Sequence, residues 1–473
     1  MMSPFAMLSR RFALAALLPL TPLAGANAAP VTGSGQPIPV VQPTLGLNYI
    51  VRTSDPTNIA DVGQVDLFAG NFAPGGWALA NGQQLSIATN QVLFSQIGTL
   101  YGGNGFTTFD LPNLNGRVAI GAGQGTGLSN QPLGNASGSN TQTLTQGELP
   151  PFGGANGASS GSTPVPIRQA SLALNYGVVT QGFFPTSGGQ LAPGLLLGQV
   201  VSYAGPTAPA GILPANGQPV SIIQNPALFS VLGTTYGGNG IATFDLPNLQ
   251  GRAPTESGQA PGLLPERLGE ATGAEQVLLT TADLPPHRLT RPNGTTSTFG
   301  GGQPFSIAQP SIGLHAIIDL DGTFPTQGTI TGDETPFLGE ISWFAGTFAP
   351  FGWAFADGQL LSIEQNPALF SILGTTYGGN GITDFALPDL QDRLAIGATI
   401  GLPLGAPEGS ATDTLTYAQL PLGYPATLPA ISAVPEPRSA TIIALAAAIL
   451  MLASRLTRRG RTSNACPGEV VTP

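Results

Sequence analysis

The sequence predicts a mainly β fold made of three tandem α+β modules, each with a short two-turn helix. Gly (66) and Pro (45) approach a quarter of the 473 residues, which favours short strands joined by turns over long helices. The hydrophobic content of 41% is ample for buried cores. A repeat at a nearly fixed period indicates a repeated structural unit. One eight-residue stretch recurs at spacings of 135 and 141 residues: Gly63–Gly70, Gly198–Gly205 and Gly339–Gly346.

The charged residues exclude several classes of function. All 15 basic residues are Arg, so Schiff-base catalysis by Lys and the phosphate-binding P-loop are both excluded. Between Ala29 and Pro437, eight Arg stand against 24 Asp and Glu, a formal charge of −16. Such a body repels phosphate backbones, and we expect no nucleic-acid partner. The single Cys466 excludes a disulfide within the chain.

Residues 1–28 are typical of a secretory signal peptide. Arg10 and Arg11 precede the apolar run Phe12–Leu20, and the small residues Ala26–Ala28 offer a cleavage site. An ordinary buried helix is the alternative interpretation of this stretch. The export route stays open, because Ser9–Arg11 also matches part of a twin-arginine signal.

Each repeat consists of a head and a separate block that precedes it. The blocks share a Gln-x-x-Leu/Ile-x-Leu pattern with strand-like composition and lie at Gln42–Val51, Gln169–Val178 and Gln309–Ile318. We take the first of them, residues 42–56, as an N-terminal closing-strand block. The third head has no block after it.

Within a head, the sequence predicts two strands, a helix and a turn. In the first head the strands are Val65–Ala69 and Trp77–Ala80, and the second of them enters an Asn81–Gly82 hairpin turn. In the second head Asn225 is placed to cap a helix that ends at Gly233, and the third head repeats this pattern.

The helix signals and the turns that follow it recur in every head. Pro226 is suited to the first helical position of the second head. Tyr-Gly-Gly-Asn-Gly turns follow, and their Asn residues are suited to positive φ. These residues are Asn104, Asn239 and Asn380.

These motifs resemble the phage tail collar family, whose members include short tail fibre proteins and microcystin-dependent bacterial proteins. The resemblance rests on Phe-Ala-Pro-x-Gly-Trp at Phe72–Trp77, Leu-Phe-Ser-x-x-Gly-Thr at Leu93–Thr99, Tyr-Gly-Gly-Asn-Gly from Tyr101, and Leu-Pro-Asn-Leu-x-Gly-Arg ending at Arg117. It implies collar-like modules at residues 61–150, 169–290 and 309–422, the last two with their preceding blocks.

The resemblance also implies two possible arrangements of the modules. Collar modules occur in trimeric fibres, so the three copies are expected to form an intramolecular pseudo-trimer, in which the block at 42–56 completes the third head and closes a ring. Alternatively, each block completes the head that follows it, as beads on a string. Association into a homo-oligomer stays open.

Residues 434–461 resemble a PEP-CTERM sorting signal. The motif Pro435, Glu436 and Pro437 precedes the apolar segment Ser439–Ser454 and a cluster of Arg, which would hold the C-terminus in the cytoplasm. The resemblance implies processing by an exosortase near the motif and a membrane contact before processing. The alternative is a plain C-terminal membrane anchor.

Few residues qualify as a functional site. His287 aligns with a metal-binding Leu-Pro-x-His-x-His segment of the resembled family, but only one His is kept, so we expect no metal site. His315 replaces Asn48 and Asn175 in its block and is expected to be structural. Weak binding candidates are Trp77 and Trp353, which are suited to stacking on sugars, and three Arg that are suited to anions or local ion pairs. These are Arg117, Arg252 and Arg393, which follow Asp110, Asp245 and Asp389.

These observations predict an exported structural or binding protein of the cell surface, associated with exopolysaccharide. Its expected partners are the export machinery, an exosortase and surface polysaccharide, and no cofactor is expected. A phage or tailocin tail fibre that binds a receptor is the alternative. A carbohydrate-active enzyme is disfavoured, because Asp110 and Asp245 become Ala386 in the third head and no recurring carboxylate pair is seen.

Overall fold

The computed structural model describes residues 30–32, 38–54, 62–145, 148–149, 165–188, 194–258, 266–284, 287–290, 296–299, 303, 305–325, 336–420 and 425–427. The predicted signal peptide and sorting signal lie outside the described residues. Among the described residues, no helix has both the length and the apolar character needed to span a membrane. Residues 31–426 form one compact unit.

The three repeats contain matching sets of short strands and one helix each. The N-terminal block contains β1 (Pro30–Thr32), β2 (Ile38–Pro39) and β3 (Thr44–Arg52). The first head continues with β4 (Gln64–Phe68), β5 (Trp77–Leu79), β6 (Gln84–Ser86), a 3-10 turn (Ile87–Thr89), α1 (Gln91–Ile97), β7 (Thr108–Asp110), β8 (Val118–Gly121), β9 (Ala136–Ser137) and β10 (Thr141–Gln142).

The second block and head show the same order. They contain β11 (Val165–Pro166), β12 (Ser171–Val179), β13 (Gln199–Tyr203), β14 (Ile212–Pro214), β15 (Pro219–Ser221), α2 (Pro226–Leu232), β16 (Thr243–Asp245), β17 (Ala253–Glu256), β18 (Ala271–Thr272) and β19 (Gln276–Val277).

The third repeat begins with an additional hairpin and ends the described chain. It contains β20 (His287–Thr290), β21 (Thr296–Phe299), β22 (Phe305–Ser306), β23 (Ser311–Asp319), β24 (Glu340–Phe344), β25 (Trp353–Phe355), β26 (Leu360–Ser362), α3 (Pro367–Leu373), β27 (Asp384–Ala386), β28 (Leu394–Gly397), β29 (Pro407–Glu408), β30 (Thr412–Asp413), a 3-10 turn (Tyr417–Gln419) and β31 (Pro425–Thr427). The predicted mainly β fold with one two-turn helix per module is confirmed.

The second and third helices begin and end at the predicted residues, with Asn at the predicted N-cap positions, but the expected side-chain capping bond is not made. Pro226 occupies the first turn of α2, and Gly233 ends the helix with φ 56°. Asn225 is the N-cap residue, yet its side chain makes no capping bond. Its Nδ2 group instead donates to the carbonyl of Ser221 at 3.2 Å, which fastens the helix to the preceding strand.

The three nine-residue strands β3, β12 and β23, here called the long strands, each pair with two heads. β3 is antiparallel to β4 and β5 of the head that follows it. On its other side it is parallel to β28 of the third head, where Leu394 faces Thr44. β12 pairs in the same way with β8, and β23 with β17. Each long strand therefore joins the head before it, taken cyclically, to the head after it.

The first strands of the heads, β4, β13 and β24, pair with one another in a closed triangle. Ser202 of β13 faces Val65 of β4. β13 also pairs with β24, and β24 pairs with β4. Because every head contacts both of the others through equivalent strands, the described chain has a pseudo-threefold arrangement, and β3 joins the third head to the first.

Two clusters of apolar side chains that draw on all three repeats stabilise this arrangement. The main cluster includes residues from all three heads and long strands, such as Leu47, Leu174 and Leu314. A smaller cluster gathers Val118, Ala253 and Leu394, the first residues of β8, β17 and β28. Burial of apolar area shared by all repeats makes their folding mutually dependent.

The predicted hairpin at Asn81–Gly82 is wrong. β5 pairs with β3 rather than with the strand after the turn, and β6 pairs with β7. Asn81 forms an isolated bridge with Asn113 instead. Long-range pairing with the long strand has overridden the local turn signal.

Candidate functional site

The junctions between heads are the places where the three copies meet and differ most. At each junction the last strand that pairs with a neighbouring block (β28, β8 or β17), here called the last strand of the head, lies beside the long strand of the next block. We call the junction of β28 with β3 the first, that of β8 with β12 the second, and that of β17 with β23 the third.

Glycine allows a close backbone approach at the first and second junctions. A Cβ atom on Gly397 would lie 1.9 Å from the carbonyl oxygen of Leu114. A Cβ atom on Gly121 would lie 1.9 Å from the corresponding oxygen of Leu249. These glycines are therefore required by the contact between heads.

An Asn of the long strand ties each of these two junctions to the following head. Asn48 Nδ2 donates to the carbonyl of Gly70 at 2.8 Å, and Asn175 Nδ2 donates to that of Gly205 at 2.8 Å. Beside each Asn lies a small cleft, of about 240 Å³ at the first junction and about 180 Å³ at the second. Both clefts lie between a head and its neighbour.

At the third junction the equivalent residues form a buried acid–imidazole pair. Glu256 stands where the other junctions have Gly, and His315 stands where they have Asn. Glu256 is 2% exposed, and its Oε1 atom lies 3.1 Å from Nδ1 of His315. Its Oε2 atom accepts a hydrogen bond from the backbone N–H of Ala316. The His315 ring also packs against Phe355, with centroids 4.5 Å apart.

The titration of this pair is governed by burial. Desolvation raises the pKa of Glu256 well above its usual range, and the nearby Asp357, Asp389 and Asp392 raise that pKa further. Desolvation lowers the pKa of His315 to about 4. Both shifts favour the uncharged forms, and a protonated Glu256 would donate to Nδ1 of a neutral imidazole.

This arrangement differs from a nucleophilic triad. Ser257 Oγ lies 3.0 Å from His315, but it faces Nδ1, the same nitrogen that faces Glu256. A triad places the nucleophile and the carboxylate on opposite ring nitrogens. Among the described residues, no three His, Cys, Asp or Glu side chains are grouped so that they could hold a metal ion.

Comparison with known families identifies the heads. Residues 63–119, 198–254 and 339–395 match the family model of the Phage Tail Collar Domain. Three segments of the chain, one in each head, are thus similar to the phage tail collar domain. No curated protein and no solved structure matches the chain. Each match runs from the strand of the central triangle to the first residues of β8, β17 or β28, so the long strands lie outside the matched collar regions.

The Trp candidates lie at matching points of the first and third collar heads. Trp77 pairs with the last residue of β3, and Trp353 pairs with the last residue of β23. Trp353 is 5% exposed and faces Asp319 across the β23–β25 ladder. Trp77 is half-buried. Its ring packs on Phe337 at 5.6 Å, and the Arg52 guanidinium lies 5.6 Å above it.

The Arg candidates stand directly before the last strand of each collar head. Arg117 Nη1 donates to the carbonyl of Asn113 at 3.1 Å. Arg393 pairs with Asp389 at 3.5 Å, while burial lowers the pKa of Arg252. Asp110, the acid expected beside Arg117, is instead bonded by Gln84 at 3.1 Å.

The turn Asn residues act through their side chains, so the prediction of positive φ is wrong. Asn104 Oδ1 accepts the backbone N–H groups of Phe106, Thr107 and Thr108 at 2.9, 2.8 and 3.1 Å. Asn239 and Asn380 make the same bonds. Asp392 is the non-glycine residue with positive φ in the described part of the chain.

Sequence reasoning singled out His315 but missed the rest of the junctions. His287 lies in β20 and is not part of them. The missing signal was a second exchange, Gly to Glu256, in the same copy in which Asn becomes His315. Two unusual residues that occur together in one copy of a repeat mark a contact between them.

Proposed function

We propose that this protein is an exported structural or binding protein of the cell surface, in which one chain supplies a ring of three collar heads. The observation that supports the proposal is the pairing of β28 with β3, which joins the third head to the N-terminal block. Collar modules of fibres meet as separate chains. A single chain that contains all three heads needs no partner subunit to bury its junctions.

The export part of the proposal rests on the ends of the sequence. A signal peptide at 1–28 and a PEP-CTERM motif at Pro435, Glu436 and Pro437 would deliver the body to the envelope, with an exosortase as processing partner and surface polysaccharide as the neighbouring material. The collar family itself is consistent with an extracellular or phage-tail location.

Fractionation of the native host with an antibody against the body tests this proposal. We expect the body in the envelope or the medium, at a mass below that of the full chain because both ends have been removed. Substitution of Pro435, Glu436 and Pro437 by Ala should block the C-terminal step and leave a larger product in the membrane fraction. Retention of the wild-type body in the cytoplasm would contradict export.

A phage or tailocin tail fibre component is the competing function, since it uses the same domain. The same fractionation separates the two, because virion parts assemble in the cytoplasm. Sedimentation of the body with tail-like particles would favour the fibre, and its presence in the envelope without particles would favour the surface protein.

A further inference from the structure

The clefts at the first and second junctions are equivalent under the pseudo-threefold arrangement. The walls of each cleft come from three segments. These are the long strand, the turn after the strand that follows it, and the end of the neighbouring head. The first cleft is lined by Asn48, Tyr49, Leu79, Ala80, Asn81, Leu114, Asn115, Gly397, Ala398, Thr399 and Ile400. The second has Asn175, Tyr176, Pro214, Ala215, Asn216, Leu249, Gln250, Gly121 and Ala122 at matching places, with Tyr203, Pro206 and Ala208 in addition.

Both clefts are lined by uncharged residues, a mixture of amide and apolar side chains in each. Asp, Glu, Arg and His are missing from both sets of lining residues in the described chain. The polar side chains are amides, together with the hydroxyls of Thr399 in the first cleft and of Tyr203 in the second. The hydroxyls of Tyr49 and Tyr176 are buried and donate to the carbonyls of Ala395 and Ala119. An uncharged polar cleft in a body of formal charge −16 selects against anionic ligands and gives no counter-charge for cationic ones.

Hydrogen bonds within the protein leave Oδ1 of Asn48 as an acceptor and Nδ2 of Asn81 as a donor in the first cleft, which the Asn115 amide also lines. Asn48 uses its Nδ2 group on the Gly70 carbonyl, which leaves Oδ1 to accept. Asn81 uses its Oδ1 atom to accept the N–H of Gln83 at 3.1 Å, which leaves Nδ2 to donate. An acceptor beside a donor suits neighbouring hydroxyl groups, each of which can donate and accept.

The second cleft repeats this arrangement through equivalent residues. Asn175 donates to Gly205, and Asn216 Oδ1 accepts the N–H of Gln218 at 3.2 Å. The same polarity at two independent places in one chain indicates that the pattern belongs to the junction and is not a local accident.

The third junction lacks this pattern. Asp357 replaces the donor amide, while Asp357 Oδ1 still accepts the N–H of Gln359 at 3.2 Å. His315 replaces the acceptor amide, and Phe355 and Glu256 place larger side chains where the clefts have Leu or Pro and Gly. The chain therefore contains its own example of a charged and more tightly filled junction.

We propose that the first and second junction clefts each bind one sugar ring of a neutral polysaccharide. The volumes suit a single pyranose unit, and the amide pair suits two of its hydroxyl groups. The choice of a saccharide, among neutral hydroxyl-rich compounds, rests on the proposed surface function.

The test uses purified full-length chain in detergent and the methyl glycosides of glucose, galactose, mannose and N-acetylglucosamine, with methyl glucuronide as the anionic comparison. Calorimetry should show at least one neutral glycoside binding at two sites per chain, and methyl glucuronide at least tenfold more weakly. N81D should lower the affinity of one of the two sites at least tenfold, and N81D with N216D should lower the affinity of both by this factor.

The chain supplies the controls for this experiment. Oδ1 of Asp357 accepts the backbone N–H two residues further on, as Oδ1 of Asn81 and Asn216 do. N81D and N216D should therefore preserve the fold, as circular dichroism would show. D357N, in the junction without the amide pair, should leave both sites unchanged.

Three results would overturn the proposal: no neutral glycoside binds, the double variant binds as the wild type does, or methyl glucuronide binds as tightly as the neutral sugars. None of these results bears on localisation, and cytoplasmic retention would in turn leave a measured sugar affinity unchanged. The failure of one proposal can therefore be distinguished from the failure of the other.

Discussion

At the scale of single residues, the repeats differ where the heads touch. Gly121 and Gly397 allow contact between backbones, while Glu256 at the equivalent place carries a side chain that reaches His315 and the N–H of Ala316. The acid is tolerated because both oxygens face hydrogen-bonding groups. The third junction is thus chemically distinct from the other two.

Replacement of Gly397 by Ala should open the first junction. The new Cβ atom would lie 1.9 Å from the Leu114 carbonyl oxygen, far inside van der Waals contact. We expect a loss of about 3 kcal/mol or more in the free energy of unfolding, measured with urea. Gly188→Ala is the control, since nothing lies within 4 Å of a Cβ there. Equal midpoints for the two variants would contradict the close approach.

Asp319 should make stability depend on pH. Its Oδ1 atom accepts the N–H groups of Asp321 and Gly322, but burial and the Asp321 charge raise its pKa to about 7. The folded chain therefore binds more protons than the unfolded chain between roughly pH 4 and pH 7. Its contribution to stability is present below the unfolded pKa and is lost as pH rises through this window.

The measurement is urea unfolding at pH 4, 5.5 and 7. Asp319→Asn keeps an acceptor without the charge, so it should lose less stability across the window than the wild type, by a few kcal/mol. Exposed Glu364 provides the control, and Glu364→Gln should follow the wild type. His315 acts in the opposite direction, with a loss as pH falls from about 6.5 to about 4. His315 is present in both variants, so its contribution is the same in each. If the free energy of unfolding of Asp319→Asn changed with pH as that of the wild type does, Asp319 would not be the source of the pH dependence.

At the scale of elements, the sequence predicts where a helix begins and ends but does not predict which strands pair. Pro226 and Gly233 define the ends of α2 by their own backbone preferences, so sequence alone locates the helix. β5 follows no such rule: its partner is β3, about 25 residues earlier, while the Asn81–Gly82 signal favoured the strand after it. Strand pairing depends on packing against distant side chains, which one sequence does not display.

The long strands illustrate the same limit. β3 is buried at seven of nine positions, so an alternating pattern that would assign a solvent-facing side is missing. The sequence left the partner of the N-terminal block open between the third head and the first. In the structure β3 pairs with both, because a strand has two edges. The clefts were missed for a related reason, since their walls come from segments far apart in the sequence, Asn48 to Ile400 in the first cleft and Gly121 to Gln250 in the second.

Digestion with trypsin can test which head each long strand stabilises. Arg117, Arg252 and Arg393 stand immediately before β8, β17 and β28, so cleavage there reports the release of one last strand. Leu47, Leu174 and Leu314 are equivalent and fully buried, and truncation to Ala costs about 2–5 kcal/mol.

The expected pattern is cyclic. Leu47→Ala should accelerate cleavage after Arg393, Leu174→Ala after Arg117, and Leu314→Ala after Arg252, as mass spectrometry of the first fragments would show. The three variants serve as controls for one another, because each makes the same truncation in a different repeat. Accelerated cleavage after Arg117 alone in Leu47→Ala would argue against the pairing of β3 with the third head.

At the scale of the whole molecule, the closed arrangement bears on assembly. β4, β13 and β24 pair with one another, and each long strand pairs along both edges. In the described part of the chain, the collar heads therefore bury their junctions without a second copy. A strand edge that is already paired offers no template for another chain.

The body should consequently be a monomer, and opening the ring should make it associate. Light scattering should give the mass of one chain, at most the 47.9 kDa of the full sequence. Deletion of residues 30–54 removes β3 and exposes an edge on β28 and another on β4, so the shortened protein should form dimers or larger species. Gly188→Ala, which alters no strand edge, should stay monomeric. A wild-type trimer would show that junctions between chains replace those within the chain, and a monomeric deletion variant would show that β3 does not cover these edges.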